Sequence, residues 1–287
     1  MLEMIVNPKT AEKEPWMMLF VGLVYASLSI LLVHWFFSSD PVLSKFSGMI
    51  VVTFCVMFTL PFMYYMIKQE ELEDEEIEGF FDVWRVHSDA IYAFMWLFLG
   101  FVIAFAFWFI VLGDPNLFNA QIGTYCMINN PEDIEGCVAK YSPPNSGITT
   151  TGSSISSVRL ISIIQNNVYV MIFTLIFSLI FGAGAIFVLA WNASVISSAI
   201  GVFTQYQIKD IPLGLLRYMI HGFPEIAAYF VTALAGGIVS VGVIRNGIMN
   251  KKFLRVLGNS VMLLLIAIII LLVAAVVEVY ITPSIIK

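Results

Sequence analysis

Predominantly apolar stretches recur along the chain at lengths that suit membrane-spanning helices. Six of them cover residues 16–37, 46–67, 91–112, 168–190, 223–244 and 261–281, and none contains Lys or Arg. A bilayer core about 30 Å thick needs roughly 20 apolar residues as a helix, because backbone groups left unpaired in lipid cost several kcal/mol each. The pattern predicts an all-α fold, a polytopic transmembrane helical bundle with six clear spans.

One further segment, residues 192–219, is harder to assign. It holds two moderately apolar runs separated by Lys209, Asp210 and Pro212, and each run is too short to cross a bilayer. Such a pair predicts two interfacial helices, a re-entrant hairpin or one broken seventh crossing. Only the last alternative changes the number of crossings.

Basic residues near the span ends favour seven crossings. Lys9 and Lys13 place the N-terminus in the cytoplasm, because short cytoplasmic segments are enriched in Lys and Arg. The connection between the last two spans lies outside if there are six crossings and inside if there are seven. This connection is the most basic of the chain, with Arg245, Lys251, Lys252 and Arg255. We therefore expect a multi-pass protein of the cell membrane with seven crossings and a cytoplasmic N-terminus.

The composition excludes a soluble domain. Of 287 residues, 60% are hydrophobic and 12% are charged, and the mean hydropathy is +0.91. Soluble domains have roughly 25% charged residues. The net charge of −6 offers no basic surface for nucleic acid. The lipid bilayer is therefore the first partner that the sequence predicts, and nucleic acid is not expected.

Three regions follow from the spacing of the spans. Residues 1–67 form an N-terminal transmembrane hairpin, residues 68–90 an acidic cytoplasmic linker, and residues 91–287 a membrane domain with an outer loop at 113–165. Seven of the nine residues at 70–78 are acidic. This run is a docking or cation-attracting arm or, as we favour, a solvated helical linker, since charge runs usually form solvated faces.

The three cysteines fall in two different environments. Cys126 and Cys137 lie in the outer loop. The outer side of a membrane is oxidising, so we expect a disulfide between them, with two free thiols as the alternative. Cys55 lies inside the second span, where we expect a small buried apolar residue.

Few ionisable or amide side chains are predicted at membrane depth, where they are costly and mark functional sites. His221 and Glu225 are four residues apart in the sequence HGFPE. We expect this sequence to open the fifth span, with Glu225 near the positive end of the helix dipole. Glu278 lies near the end of the sixth span, and Asn166 and Asn167 precede the fourth. With seven crossings all five side chains share one depth and could meet.

Such a cluster could share a proton, coordinate a divalent metal or form a hydrogen-bond network that joins helices. We favour the network, because buried polar groups in lipid need partners. Metal binding stays open, and no cofactor is expected. The chain has no HExxH motif, no Walker A motif and no dinucleotide fingerprint. We therefore expect no catalytic residues and no enzymatic activity.

Small residues on two spans predict a close contact between helices. Ala228, Thr232, Gly236 and Ser240 recur every four residues on the fifth span, on the face of the polar cluster. The fourth span offers a matching row that includes Gly182. Small side chains let helix backbones approach closely in lipid, so we expect these faces to pack together.

Three motifs occur in a fixed order: a paired Asn before a Gly-rich span, an HGxxE sequence and a final E-x-x-x-T-P. The chain carries them at Asn166, Asn167, His221, Gly222, Glu225, Glu278, Thr282 and Pro283. This set resembles the stage II sporulation protein M family of integral membrane proteins. Where that family has Asn-Gly and a second Gly, this chain has Asn192 with Ala193 and Ser197. The resemblance covers roughly residues 91–281, so the first hairpin looks like an addition to the common core.

The resemblance implies a helical membrane module that is a scaffold and not an enzyme. The namesake of the family is a membrane component of the engulfment machinery of spore-forming bacteria, thought to hold peptidoglycan-cleaving partners together. We therefore expect a non-catalytic scaffold that assembles as a homo-oligomer or with partner membrane proteins. The alternative is a proton- or cation-coupled transporter or channel that uses His221, Glu225 and Glu278.

Overall fold

The protein is a bundle of α-helices. The computed structural model describes residues 7–74, 77, 80–114, 116–130, 132–141, 156–248 and 250–282, and these residues contain no strand. Short 3-10 turns precede α3, α8 and α9, and α10 continues into a π-helical turn over Val277–Ile281. The α-helices are α1 (Pro8–Lys13), α2 (Met17–Phe36), α3 (Ser47–Asp74), α4 (Phe80–Leu112), α5 (Asn119–Asn129), α6 (Ile134–Tyr141), α7 (Ser156–Phe181), α8 (Ile186–Phe203), α9 (Ile211–Asn246) and α10 (Lys251–Val276).

Six helical stretches among the described residues are long and apolar enough to cross a membrane, which confirms the predicted fold class. The fourth of them, Leu160–Phe203, has 44 residues and is not one continuous helix. It divides at Gly182, whose φ of +57° lies in the left-handed region that favours glycine. The predicted span at 168–190 is therefore wrong in its bounds, because the chain turns inside it.

The two helices on either side of Gly182 run in opposite directions. On α7, Ser178 contacts Ala233 and Gly182 lies beside Ser240, so α7 is parallel to α9. Between α8 and α4, Ser197 contacts Val102 and Gly201 lies against Phe109. Residue numbers therefore rise in the same direction along α8 and α4, and these two helices are parallel. The helix α3 is antiparallel to α4, because Phe62 contacts Phe94 and Glu70 contacts His87. It is parallel to α9, because Ile67 contacts Gly237 and Glu71 contacts Arg245.

Seven long helices, α2 to α4 and α7 to α10, thus alternate between two ends of the bundle. We call one the acidic end, where Glu70, Glu71 and Asp74 lie, and the other the disulfide end, where Cys126 and Cys137 lie. The alternation is the one that seven crossings require. It does not arise from a broken crossing at 192–219, because the first half of that segment belongs to α8 and the second half begins α9. Between them the chain turns at Gln205 and Tyr206, both at positive φ.

The helix α9 occupies the centre of the bundle. Every residue from Ala228 to Ile238 is buried, and α9 contacts α3, α4, α7, α8 and α10. In contrast, α7 and α10 each leave one face with exposed large apolar side chains, such as Phe173, Ile180 and Ile269. An enclosed central helix and apolar outer faces are the arrangement expected of a bundle whose solvent is lipid.

The first two long helices are joined to the rest by a close backbone contact. Gly22 of α2 and Gly100 of α4 face each other, and a Cβ on either would collide with a carbonyl oxygen of the other helix. Nearby, the Trp108 Nε1 donates a hydrogen bond of 2.9 Å to the Ser27 hydroxyl. Close approach at small residues increases van der Waals contact where no water drives association.

Three residues of the acidic run are not solvated. The helix α3 extends to Asp74, and the carboxylates of Glu70, Glu71 and Asp74 are buried. The prediction of a solvated linker was wrong for these three residues, because the polar end of α3 packs against α4 and α9. The sequence of α3 alone does not reveal these partners. The remaining acids at 75, 76 and 78 lie outside the described residues.

The Gly22–Gly100 contact predicts a position-specific loss of stability. We expect Gly100→Ala to force α2 and α4 apart and to lower the free energy of unfolding by about 1–3 kcal/mol. The matched control is Gly258→Ala on α10, where a Cβ meets nothing within 4 Å. Thermal unfolding in detergent measures both variants, and a Gly100→Ala protein that melts like the parent would contradict the close contact.

Candidate functional site

The central helix carries the first two residues of the candidate site, His221 and Glu225. The helix α9 begins at Ile211 with Pro212 in its first turn, so HGFPE lies in the helix interior and Pro224 is an internal proline. Glu225 lies about 21 Å along the helix axis from Ile211, the first residue of α9. The expectation that Glu225 lies near the positive end of a helix dipole is therefore wrong.

Two other helices bring their polar residues to the same level. On α7, Asn167 is only 3% exposed, and its side-chain amide lies next to Glu225. The amide nitrogen Nδ2 makes no hydrogen bond of regular geometry with a described residue. Asn166 donates to the Asn167 Oδ1 across 3.3 Å. Glu278, in the π-helical turn after α10, is close enough to Glu225 for their charges to interact. Asn167, Glu225 and Glu278 thus converge from three helices.

The π-helical turn also joins the site to His221. The Thr282 hydroxyl lies 3.4 Å from the His221 Nδ1 and 3.2 Å from the carbonyl oxygen of Val277. Turns of this kind are frequent at functional sites, because the inserted residue redirects side chains that an α-helix would point elsewhere. Pro283, which completes the terminal motif, lies outside the described residues.

One member of the site was absent from the sequence-based set. The Tyr229 hydroxyl donates a hydrogen bond of 2.8 Å to the Glu225 Oε1, and Tyr229 is fully buried. Its spacing of four residues from Glu225 on the same helix was the signal that could have found it. Aromatic residues in an apolar span read as packing residues, so the hydroxyl was overlooked.

The cluster can hold a proton or join helices. Two carboxylates near one another in a low-dielectric site favour sharing one proton, because two negative charges there repel strongly. The same groups form links between α7, α9 and α10, which stabilise the bundle when each finds a partner. Among the described residues, no group of three or more His, Cys, Asp or Glu side chains is placed to hold a metal ion.

The row of small residues lies where α9 meets α7. The Ser178 hydroxyl donates to the carbonyl oxygen of Ala233, and a Cβ on Gly236 would lie 2.7 Å from the Ser178 Cβ. Ala228 and Thr232 are buried, and Ser240 faces the turn at Gly182. The contact keeps Asn167 beside Glu225, since it sets the register of the two helices.

The outer-loop helices α5 and α6 lie at the disulfide end of the bundle. Cys126 of α5 and Cys137 of α6 are joined by a disulfide with a Cα–Cα distance of 5.7 Å. The α5 helix is attached to the bundle by Gln121, whose Nε2 donates to the carbonyl oxygen of Gly48 across 2.9 Å. The described part of the outer loop is therefore packed on the helices. Cys55 is buried and not disulfide-bonded.

A second polar cluster, at the acidic end, was not expected. His87 of α4 lies between two carboxylates of α3, with Nδ1 2.6 Å from Glu70 and Nε2 2.9 Å from Asp74. Arg245 of α9 forms an ion pair with Glu71. Burial and the neighbouring Glu70 raise the pKa of Glu12, on α1, to about 8. The sequence analysis did not single out His87; the spacing of four residues between Glu70 and Asp74 on one helix face is the signal that could have pointed to a shared partner.

The Tyr229–Glu225 hydrogen bond predicts the cost of removing its donor. Tyr229→Phe leaves a buried carboxyl oxygen without its partner, so we expect a loss of about 1–3 kcal/mol in the free energy of unfolding. Tyr280→Phe is the matched control, because Tyr280 is exposed on the neighbouring helical turn. Equal stability of the two variants in detergent would show that the bond does not hold the site together.

Comparison with known proteins agrees with the motifs at this site. The family model of stage II sporulation protein M matches residues 28–283, nearly the whole chain. No curated protein and no solved structure gave a significant match. The match begins inside α2 and includes α3, so the expectation that the first hairpin is an addition to the family core is wrong. The chain belongs to the stage II sporulation protein M family, as a multi-pass membrane protein.

Proposed function

We propose that this protein is a non-catalytic membrane scaffold that assembles with itself or with partner membrane proteins. The observation that carries the proposal is the use of polar side chains inside the bundle as links between its own helices. Polar groups are unfavourable in lipid, and here they contact one another between helices, which fixes the outer surface of the bundle. A scaffold needs such a fixed surface to bind its partners.

The links at the candidate site support this reading. Asn167, Glu225 and Glu278 come from three different helices, and Tyr229 satisfies one carboxyl oxygen of Glu225. The Ser178 hydroxyl adds a direct link between α7 and α9. The Thr282 hydroxyl, 3.4 Å from the His221 Nδ1, brings the turn after α10 to α9. We infer a fixed arrangement of these three helices, because polar contacts between helices meet little competition from water in lipid.

The outer faces of α7 and α10 supply the surface for assembly. Their exposed side chains are large and apolar, including Ile172 and Phe173 on α7 and Ile269 and Val273 on α10. Lipid tails cover such faces in isolation, and a partner helix replaces them when its side chains pack more closely. We propose these two faces as the sites of self-assembly or partner binding.

A second candidate function, a proton- or cation-coupled transporter, is favoured by one observation. Glu225 and Glu278 lie together at membrane depth beside the buried amide of Asn167. Paired carboxylates inside a bundle are typical of proton and ion pathways. The scaffold remains the proposal, because these groups also have internal partners.

We also propose that the protein lies in the cell membrane with its N-terminus in the cytoplasm. Lys9, Lys13 and the basic connection between α9 and α10 belong to one end of the bundle, which suits the cytoplasmic side. The disulfide belongs to the other end, which suits an oxidising exterior.

Photo-crosslinking in native membranes tests the scaffold. Two differently tagged copies are co-expressed, with a photoreactive amino acid at Ile172 or Ile269, which are 46% and 60% exposed. We expect crosslinked products that carry both tags, or that carry one tag and the same membrane protein in replicate experiments. The matched control is the same amino acid at Leu263, which is fully buried on α10 and should react only within its own chain.

The transporter would give a different result. Outward positions that yield only lipid adducts and single-chain products would contradict assembly. Proton or cation flux into proteoliposomes that is lost in the Glu225→Gln, Glu278→Gln double variant would favour the transporter instead. Flux that is absent from the parent, or unchanged in the double variant, leaves these carboxylates without a transport role.

A further inference from the structure

The short helix α1 is held against the acidic end of the bundle. It contacts α3 and α4, and its Ala11 is fully buried. The Gln69 Nε2 of α3 lies 2.6 Å from each carboxyl oxygen of Glu12. Glu12 is therefore held in a defined place, although it belongs to a helix of only six residues.

The place that Glu12 occupies is already rich in negative charge. The Glu12 carboxyl group is within hydrogen-bonding reach of Glu70, and Glu73 is a further negative neighbour. Ionised carboxylates only accept hydrogen bonds, so a bond between Glu12 and Glu70 requires a proton on one of them. Burial and the charge of Glu70 raise the pKa of Glu12 to about 8.

The neighbouring His87 does not remove this requirement. Its two ring nitrogens are shared between Glu70 and Asp74, at 2.6 Å and 2.9 Å. Each of these two bonds needs one hydrogen, carried either by the ring nitrogen or by the carboxyl group, so the three groups together carry one negative charge. The second oxygen of Asp74, Oδ2, is fully buried and has no hydrogen-bond partner among the described residues. The cluster therefore keeps one buried acceptor oxygen that no described group uses.

We propose that the Glu12–Glu70 pair is a proton-binding site and that its proton holds α1 against the bundle. The ligand is a proton taken from the acidic-end solution, and the site is separate from the cluster around Glu225. Loss of the proton leaves two carboxylates facing each other, and their repulsion releases α1. The proposal goes beyond the scaffold function and does not depend on it.

Other charges near the pair do not compensate for an ionised Glu12. From α3, Glu73 adds to the repulsion and Glu71 is paired with Arg245. From α4, His87 is the neighbouring cation and is already shared by two carboxylates. Within α1, Lys9 interacts with Glu73. The other exposed charges on these helices, besides Lys9 and Glu73, are Lys13 on α1, Lys68 on α3, and Asp82, Arg85 and Asp89 on α4.

The sign of the pH dependence follows from the direction of the shift. The pKa of Glu12 is about 8 in the docked helix, against 4.5 for an ordinary Glu. Between these values the docked state binds more protons than the released state, so docking weakens as the pH rises through this window and levels off above it. Glu12 is only half-buried, and solvent screening therefore reduces the size of the effect.

Distance measurements between two spin labels test the proposal in lipid nanodiscs. Labels at Thr10→Cys and Lys68→Cys, both exposed, report the separation of α1 from α3 in the full chain. The native Cys55 is buried and the other two cysteines are disulfide-bonded, so none of them competes for label. We expect one narrow, short distance at about pH 5, and a broad, longer distribution at about pH 9 with the docked population reduced about tenfold.

Two variants assign the effect to Glu12. Glu12→Gln is neutral at every pH and keeps a donor for Glu70, so α1 should stay docked at both pH values. Glu14→Gln removes an exposed carboxylate just beyond the same helix and should leave the pH response of the parent unchanged.

Three results would overturn the proposal. The first is a parent distance distribution that is the same at both pH values. The second is release of α1 from the Glu12→Gln protein at about pH 9. The third is a broad distribution at both pH values, which would show that α1 does not dock at all.

Discussion

The reversal of the chain at Gly182 determines which polar residues can meet. A backbone φ of +57° is strained for residues with a side chain, and glycine permits the helix to end inside an apolar stretch of 44 residues. If α7 and α8 formed one crossing, Asn167 would face the opposite side of the membrane from Glu225 and Glu278. Because the chain turns back, α7 runs parallel to α9 and all three residues share one level. The candidate site is thus a consequence of one backbone turn.

The same alternation gathers a second polar cluster at the opposite end of the bundle. The end of α3, the start of α4 and the end of α9 meet there, so Glu70 and Asp74 share His87, and Glu71 pairs with Arg245. Both clusters link neighbouring helices, but they differ in surroundings. The Glu225 cluster lies within the apolar, candidate membrane-spanning part of α9. The acidic end, in contrast, also holds α1, which at six residues is too short to be a membrane-spanning helix. Links between helices near the centre and a docked helix at one end are compatible with the scaffold proposed above and with the proposed proton site at α1.

Sequence reasoning recovered the class of fold and part of the site, for physical reasons. Apolar length alone identifies membrane helices, because lipid satisfies no backbone group. The convergence of Asn167, Glu225 and Glu278 could be anticipated once seven crossings were assumed. The position of the chain reversal could not be anticipated, since Gly182 lies among apolar residues that continue a helical pattern on both sides. Burial of Glu70, Glu71 and Asp74 was missed because a run of acids looks solvated until its partners on other helices are known. The role of Tyr229 was missed because its hydroxyl is one atom on an otherwise apolar helix.

In this member of the stage II sporulation protein M family, α7 and α8 run antiparallel on either side of Gly182, as two separate crossings would. Three single cysteines test this arrangement directly, at Glu14 before α2, at Lys251 at the start of α10, and at Glu132 beside the disulfide, all of them exposed. Sealed membrane vesicles of known orientation are treated with a thiol reagent that does not cross the bilayer. We expect the cysteines at 14 and 251 to react from the same side and the cysteine at 132 from the other. Reaction of the cysteine at 251 from the same side as that at 132 would contradict the reversal at Gly182 and the shared level of the site.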